Sequence, residues 1–237
     1  MRFDIITIFP EALSYLDQSI IKRAAQKGLI QIYIHNLRNF TDDKRRTVDD
    51  RPYGGGAGMV LKVEPIYKSV NHILNKTKKI KSEKRRIILL SAKGSKFSQK
   101  KAKALVKYKH LILICGHYEG VDERVAKYIA DEELSIGNYV LTGGELAAMV
   151  VLDAAVRNIK GVINEKSLKD ESFNVDKSDK KIMIEHPHYT RPEVFKPKKM
   201  IKSDKNQEKW TVPKVLLGGN HAEIENWGKN HRKKLPE

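Results

Sequence analysis

The sequence predicts an α/β protein: a mostly parallel sheet with helices on both faces, followed by a smaller C-terminal unit. Three observations carry this. Apolar, β-branched runs alternate with amphipathic segments across roughly the first 160 residues, the pattern of repeated strand–helix units. The runs Ile87–Leu90 and Leu111–Cys115 are wholly apolar, as strands covered on both sides are. After Gly161 the alternation stops and the chain turns polar.

Phe3–Phe9 is apolar and β-branched and ends at Pro10, so it is the first strand. Residues 11–27 carry Leu13, Leu16, Ile20, Ile21 and Ala24 near helical spacing and stop at Gly28, a common helix terminator. Leu29–Asn36 alternates as a second strand, and residues 39–59 form a long polar, glycine-rich loop. A helix follows over Val63–Leu74, a buried strand over Ile87–Leu90, an amphipathic helix over Lys100–Tyr108 and an apolar strand over Leu111–Cys115. Asp122–Tyr128 opens with acids, which a helix N-terminus favours. Tyr139–Leu141 is a short strand and Leu146–Arg157 an apolar helix. These elements form a first domain, residues 1–163. Residues 164–184 are polar with few apolar anchors and are read as a flexible linker. Residues 185–237 form a small unit, expected to be mainly helical, with Trp210 and Trp227 in its core.

The chain has 46 basic and 29 acidic residues in 237, a net charge of +17. A polyanionic partner is the direct inference, although lysine excess also arises from biased composition. Distribution sharpens it. Residues 76–109 carry 14 basic side chains and only Glu83 as an acid, whereas residues 116–175 carry 6 basic and 11 acidic. No apolar run reaches the roughly 18 residues of a membrane span, and Asp4 interrupts the apolar N-terminus, unlike a signal peptide. The single cysteine, Cys115, excludes an internal disulfide and a cysteine-based zinc site. His186, His188 and His221 lack cysteine partners and i, i+4 spacing, so no metal site is assigned. A soluble, cytoplasmic protein is expected.

Three glycine-rich runs carry the chemistry. Val48-Asp-Asp-Arg-Pro-Tyr-Gly-Gly-Gly-Ala-Gly-Met59 permits tight turns and close backbone approach, but lacks the lysine and Ser/Thr of a P-loop. In Leu113-Ile-Cys-Gly-His-Tyr-Glu-Gly-Val-Asp-Glu-Arg124 an apolar strand runs straight into Gly116. In Leu134-Ser-Ile-Gly-Asn-Tyr-Val-Leu-Thr-Gly-Gly-Glu-Leu146, three glycines bracket a short apolar run. Open α/β sheets bind ligands beyond the carboxyl ends of their strands. Two such ends without a P-loop point to an adenine-type ligand held by backbone groups.

With Pro187-His-Tyr-Thr-Arg-Pro192 and Leu217-Gly-Gly-Asn-His-Ala-Glu-Ile224, these runs resemble the bacterial tRNA (guanine-N1)-methyltransferases of the SPOUT superfamily. The resemblance spans residues 1 to about 230, with five motifs in order. It implies a sheet tied in a deep trefoil knot and S-adenosylmethionine as cofactor, with Mg2+ as an open second candidate. Gly116 and the stretch Ile136, Gly137, Asn138, Tyr139, Val140 and Leu141 form the cofactor wall, with Leu90, Ser91, Tyr118, Gly143 and Gly144 around it. It implies methylation of N1 of guanosine 37 in tRNA, next to the anticodon, by a homodimer with sites at the subunit interface. The C-terminal unit would bind the tRNA, with Arg45, Arg46 and Arg51 as further phosphate contacts.

Guanine N1 carries a proton at neutral pH, so methyl transfer needs a general base, and a cation near O6 to stabilise developing negative charge. The resemblance places that cation at Arg157 and the base just before Ser-Phe. Here the segment reads Ser167-Leu-Lys-Asp-Glu-Ser-Phe173, so Glu171 stands in the counted position and Asp170 is the alternative, with the linker shifted by one residue. A second departure is Ala92, where members usually carry proline. Two other readings stay open: a non-catalytic RNA-binding SPOUT protein, and a SPOUT methyltransferase acting on another RNA.

Overall fold

The structure, a computed structural model, describes residues 1–169, 171–175, 182–196 and 209–234. The chain divides into two compact units, Met1–Glu165 and Lys166–Glu237.

The first unit is built on five strands: β1 (Arg2–Thr7), β2 (Gln31–Asn36), β5 (Arg85–Lys96), β6 (His110–Cys115) and β7 (Glu132–Ser135). They lie in the order β2-β1-β6-β5-β7, and every pairing in this sheet is parallel. Helices α1 (Ser19–Gln26), α2 (Val63–Lys76), α3 (Gln99–Leu105), α4 (Glu123–Tyr128) and α5 (Glu145–Val156) complete it. A two-residue ribbon, β3 (Asp49–Asp50) and β4 (Val60–Leu61), brackets the glycine loop.

Strand alternation sorts the apolar residues into two cores. Phe3, Ile5, Leu111, Leu113, Ile88 and Leu90 face one side, packed with α1, α3 and α5 residues such as Ile21, Leu105 and Leu152. Ile6, Ile112, Ile114 and Leu89 face the other, packed with Ile66, Val70 and Ile73 of α2 and Val125 of α4. A central strand buried on both faces has no polar face to show, which is why Leu111–Cys115 reads as uniformly apolar.

Three expectations shift. Residues 11–27 split into a 3-10 segment, Pro10–Asp17, and α1, whose first residue, Ser19, has φ 48°. Tyr139–Leu141 is not a strand. Its side chains are open to solvent, Val140 87% exposed, so no sheet neighbour fixes an extended backbone there. The edge strand is β7 instead, whose Glu132-Glu133 opening lacks the β-branched signal.

The second unit has more strand than expected. α6 (Glu165–Lys169) lies at the division. Strands β8 (Asn174–Val175) and β9 (Ile182–Ile184) pair antiparallel inside the segment read as linker, and β12 (Lys233–Lys234) joins β9. β10 (Val194–Phe195) pairs with β11 (Trp210–Thr211). The helix α7 (His221–His231) is capped by Asn220, whose side chain accepts from the amides of Ala222 and Glu223. Trp210 is not core: it is 43% exposed, and among the described residues its one ring neighbour is Phe195. Trp227 packs against His186, Tyr189 and His231.

Candidate active site

A pocket of about 200 Å³ opens at the carboxyl ends of β6 and β7, beside residues 90–93 in the middle of β5. Apolar strands stop there and their backbones turn away, so amide and carbonyl groups are left for a ligand. Of the twelve residues expected to hold a cofactor, all but Asn138 line it. Leu90 and Ser91 come from β5, Gly116 and Tyr118 follow β6, and Ile136, Gly137, Tyr139, Val140 and Leu141 follow β7. Gly143 and Gly144 lead into α5.

The pocket floor is held by backbone crossing backbone. The Gly144 amide donates to the Gly116 carbonyl at 2.7 Å, and a Cβ on Gly144 would lie 2.8 Å from the Cys115 Cα. At the rim, the Ser135 hydroxyl donates to the Gly137 carbonyl at 2.9 Å, and the Tyr139 ring folds back over Gly137. Tyr118 adopts φ 60°, a strained conformation for an aromatic residue that holds its ring at the pocket mouth. The glycine loop reaches the same site. Gly58 (φ 82°) leaves room where a Cβ would strike Glu119, and the Glu119 amide donates to the Met59 carbonyl at 3.0 Å. His117 and Glu119 line the pocket as well. Both sit inside the Cys115–Arg124 run, but nothing in their spacing distinguished them from turn residues.

Beneath the floor lies a buried polar cluster. Glu145, in the first turn of α5, accepts from the Thr7 hydroxyl at 2.6 Å. A Cβ on Gly143 would meet both Glu145 Oε2 and, at 2.5 Å, His117 Nδ1. His117 Nδ1 is buried without a hydrogen-bond partner among the described residues. Burial pushes the Cys115 thiol up, with the Glu145 carboxylate adding to it, so this cysteine stays a neutral core residue.

The acceptor-side residues stand apart from the pocket residues in sequence. Arg157 is the exposed C-cap residue of α5 in the first unit. Glu171 belongs to the second unit and is half-buried, beside Ser172, whose amide donates to Glu185 at 2.9 Å. Asp170 lies outside the described residues. Among the described residues no cluster of three or more His, Cys, Asp or Glu could hold a metal ion, and no helix is long and apolar enough to cross a membrane.

A parallel α/β sheet with a glycine-walled pocket at its strand ends is the architecture of the open α/β proteins that bind a ligand beyond their carboxyl strand ends. The particular family follows from comparison. Residues 1–235 match the family described as tRNA (Guanine-1)-methyltransferase TrmD, and the chain belongs to that family. A tRNA (guanine-N(1)-)-methyltransferase of Dictyoglomus turgidum is 50% identical over 229 residues, covering 96% of this chain and 83% of that protein. Proteins of the same name from Dehalococcoides mccartyi strain 195 and Clostridioides difficile strain 630 are 48% and 46% identical, each over 96% of this chain and covering 84% and 90% of their own.

Proposed function

We propose that this chain transfers a methyl group from S-adenosylmethionine to N1 of guanosine 37 in tRNA. Membership of a tRNA guanine-N1 methyltransferase family supports the reaction class. The observation that carries the cofactor half is the pocket. Its walls are apolar side chains, Leu90, Ile136, Val140 and Leu141, and its floor is glycine backbone, packed so closely that a Cβ on Gly144 would strike Cys115. Such a site fits an adenosine held by backbone amides and carbonyls, and the orphaned His117 Nδ1 leaves one ring nitrogen for a ligand or water. When bound there, S-adenosylmethionine would supply a sulfonium methyl and leave as the neutral thioether S-adenosylhomocysteine.

The chain's own residues have three tasks. The 116–120 and 136–144 segments grip the cofactor. Arg157 stabilises negative charge developing on guanine O6. Glu171, or Asp170 in a linker shifted by one residue, takes the N1 proton as the methyl arrives. Mg2+ is carried in this proposal as a second requirement, and loss of methyl transfer on chelation tests it. The target guanine must leave its stack to reach such a pocket.

The same reading extends to architecture. A deep trefoil knot in this sheet is part of the same reading and rests on membership of the family. A homodimer is supported by Leu146 and Val150 of α5, 57% and 45% exposed beside the pocket. The domain roles follow: residues 1–163 methylate, 164–184 link, and 185–237 bind tRNA in the cytoplasm.

Labelled S-adenosylmethionine and two transcripts test the reading, one with guanosine 37 and one with adenosine there. Label is expected in the first alone. Equal labelling of both, or of neither, overturns the assignment.

A further inference from the structure

The Phe195–Trp210 pair has no place in the reaction described above, and the described residues give it no core to fill. The two residues sit directly opposite each other on the β10–β11 ribbon, with Val194 opposite Thr211 behind them. Their ring centroids are 5.5 Å apart and the ring planes are tilted by 47°. Phe195 is 48% exposed and Trp210 43% exposed. A cross-strand aromatic pair stabilises a ribbon by about 0.2–1 kcal/mol. Two rings of this size left half in water give back much of the apolar burial that such a pair normally supplies.

Charge identifies the occupant. Lys196 follows Phe195 and Lys209 precedes Trp210, so both lysines stand at the same end of the ribbon as the rings, and both are exposed. Among the described residues of the ribbon and its flanks the one acid, Glu193, lies at the far end, where its carbonyl accepts from the Val212 amide. Exposed aromatic faces with two cations beside them, in a chain of net charge +17, match the stacking-plus-phosphate arrangement that unpaired nucleotides bind.

We propose that the β10–β11 ribbon is a stacking platform for an unpaired base of the tRNA, with Phe195 and Trp210 supplying the π faces and Lys196 and Lys209 the phosphate contacts. This rests on the tRNA reading and names a contact within it. The platform is independent of the cofactor pocket, and its work is affinity for RNA rather than chemistry on it.

Full-length protein is titrated with the tRNA transcript, and with cofactor separately. Trp210→Leu and Phe195→Leu keep apolar bulk but lose the π face. Each is expected to weaken tRNA binding roughly tenfold, with the salt slope and cofactor affinity unchanged. Trp210→Phe retains most of the affinity. Lys196→Gln and Lys209→Gln each flatten the salt slope by about 0.7. In a Trp227→Phe background Trp210 is the sole tryptophan, and tRNA is expected to quench its emission. Unchanged tRNA affinity in Trp210→Leu, while the wild type binds and methylates tRNA, overturns the platform alone. So does a loss of cofactor affinity or thermal stability matching the loss of tRNA binding, which marks the pair as structural. A wild type that neither binds nor methylates tRNA overturns the functional reading and the platform with it.

Discussion

Gly143 sits between two polar side chains of the pocket floor, and hydrogen is the only side chain that fits there. A Cβ at this position would collide with His117 Nδ1 at 2.5 Å and with the Glu145 carboxylate. Gly143→Ala is therefore expected to weaken S-adenosylmethionine binding at least tenfold by calorimetry, with the circular dichroism of the folded chain retained. The acceptor-side base is tested at the same scale: one of Glu171→Gln and Asp170→Asn should lower kcat by about 10²–10⁴, the usual contribution of a positioned base. If both retain full activity, neither acid is the base. Asp4 gives a stability test. Burial opposes its ionisation, but hydrogen bonds from Arg2, His110 and His35 prevail and hold its carboxyl far below the usual range. The folded state thus binds fewer protons than the unfolded chain near the ordinary carboxylate pKa. Its contribution is complete above about pH 4 and declines as pH falls below that. Asp4→Asn is expected to cost about 3–5 kcal/mol at pH 7 in urea unfolding, and its stability should fall less steeply in acid than that of the wild type. In the sequence Asp4 was only a charge inside an apolar run. Its partners come from β1, β2 and β6, which are adjacent only once the sheet order is known.

At the scale of elements, the edge of the sheet is where sequence and structure part. Strands buried on both faces, such as β6, were legible because sheet burial demands continuous apolar character. β7 was not, because its first two residues are the half-buried Glu132, paired with Arg86 and Lys101, and Glu133, which leaves Leu134 as the one apolar side chain anchoring the strand in the core. The glycine motifs were legible as turns because positions such as Gly58, Gly143 and Gly144 leave no room for a Cβ, and two of the three motifs line the pocket. The β10–β11 and β8–β9 pairings were not, since two- or three-residue strands leave no period to read. The passage of β7 beside Gly94 has its own consequence: a Cβ there would lie 2.6 Å from the Glu133 carbonyl carbon and the Leu134 nitrogen. Neither backbone atom can move without unpairing β7. Gly94→Ala is expected to lower the thermal midpoint by several degrees and to abolish cofactor binding, because Leu134 and Ser135 also line the pocket. A variant with wild-type melting and cofactor affinity would show that the crossing is not tight.

For the whole molecule, net charge and exposed apolar surface lead to association. Binding of tRNA should weaken steeply as salt rises, because contacts to phosphates release counterions. Leu146 and Val150 stand exposed on α5, an otherwise apolar helix, so sedimentation is expected to give a dimer and Leu146→Asp a monomer with diminished methyl transfer. A wild-type monomer with full activity would exclude a shared site. The most direct measurement of the central claim is nucleoside analysis of tRNA incubated with the protein and S-adenosylmethionine. The account predicts 1-methylguanosine at the base 3′ of the anticodon. Its absence, or the appearance of a ribose-methylated or differently methylated nucleoside in its place, would contradict it.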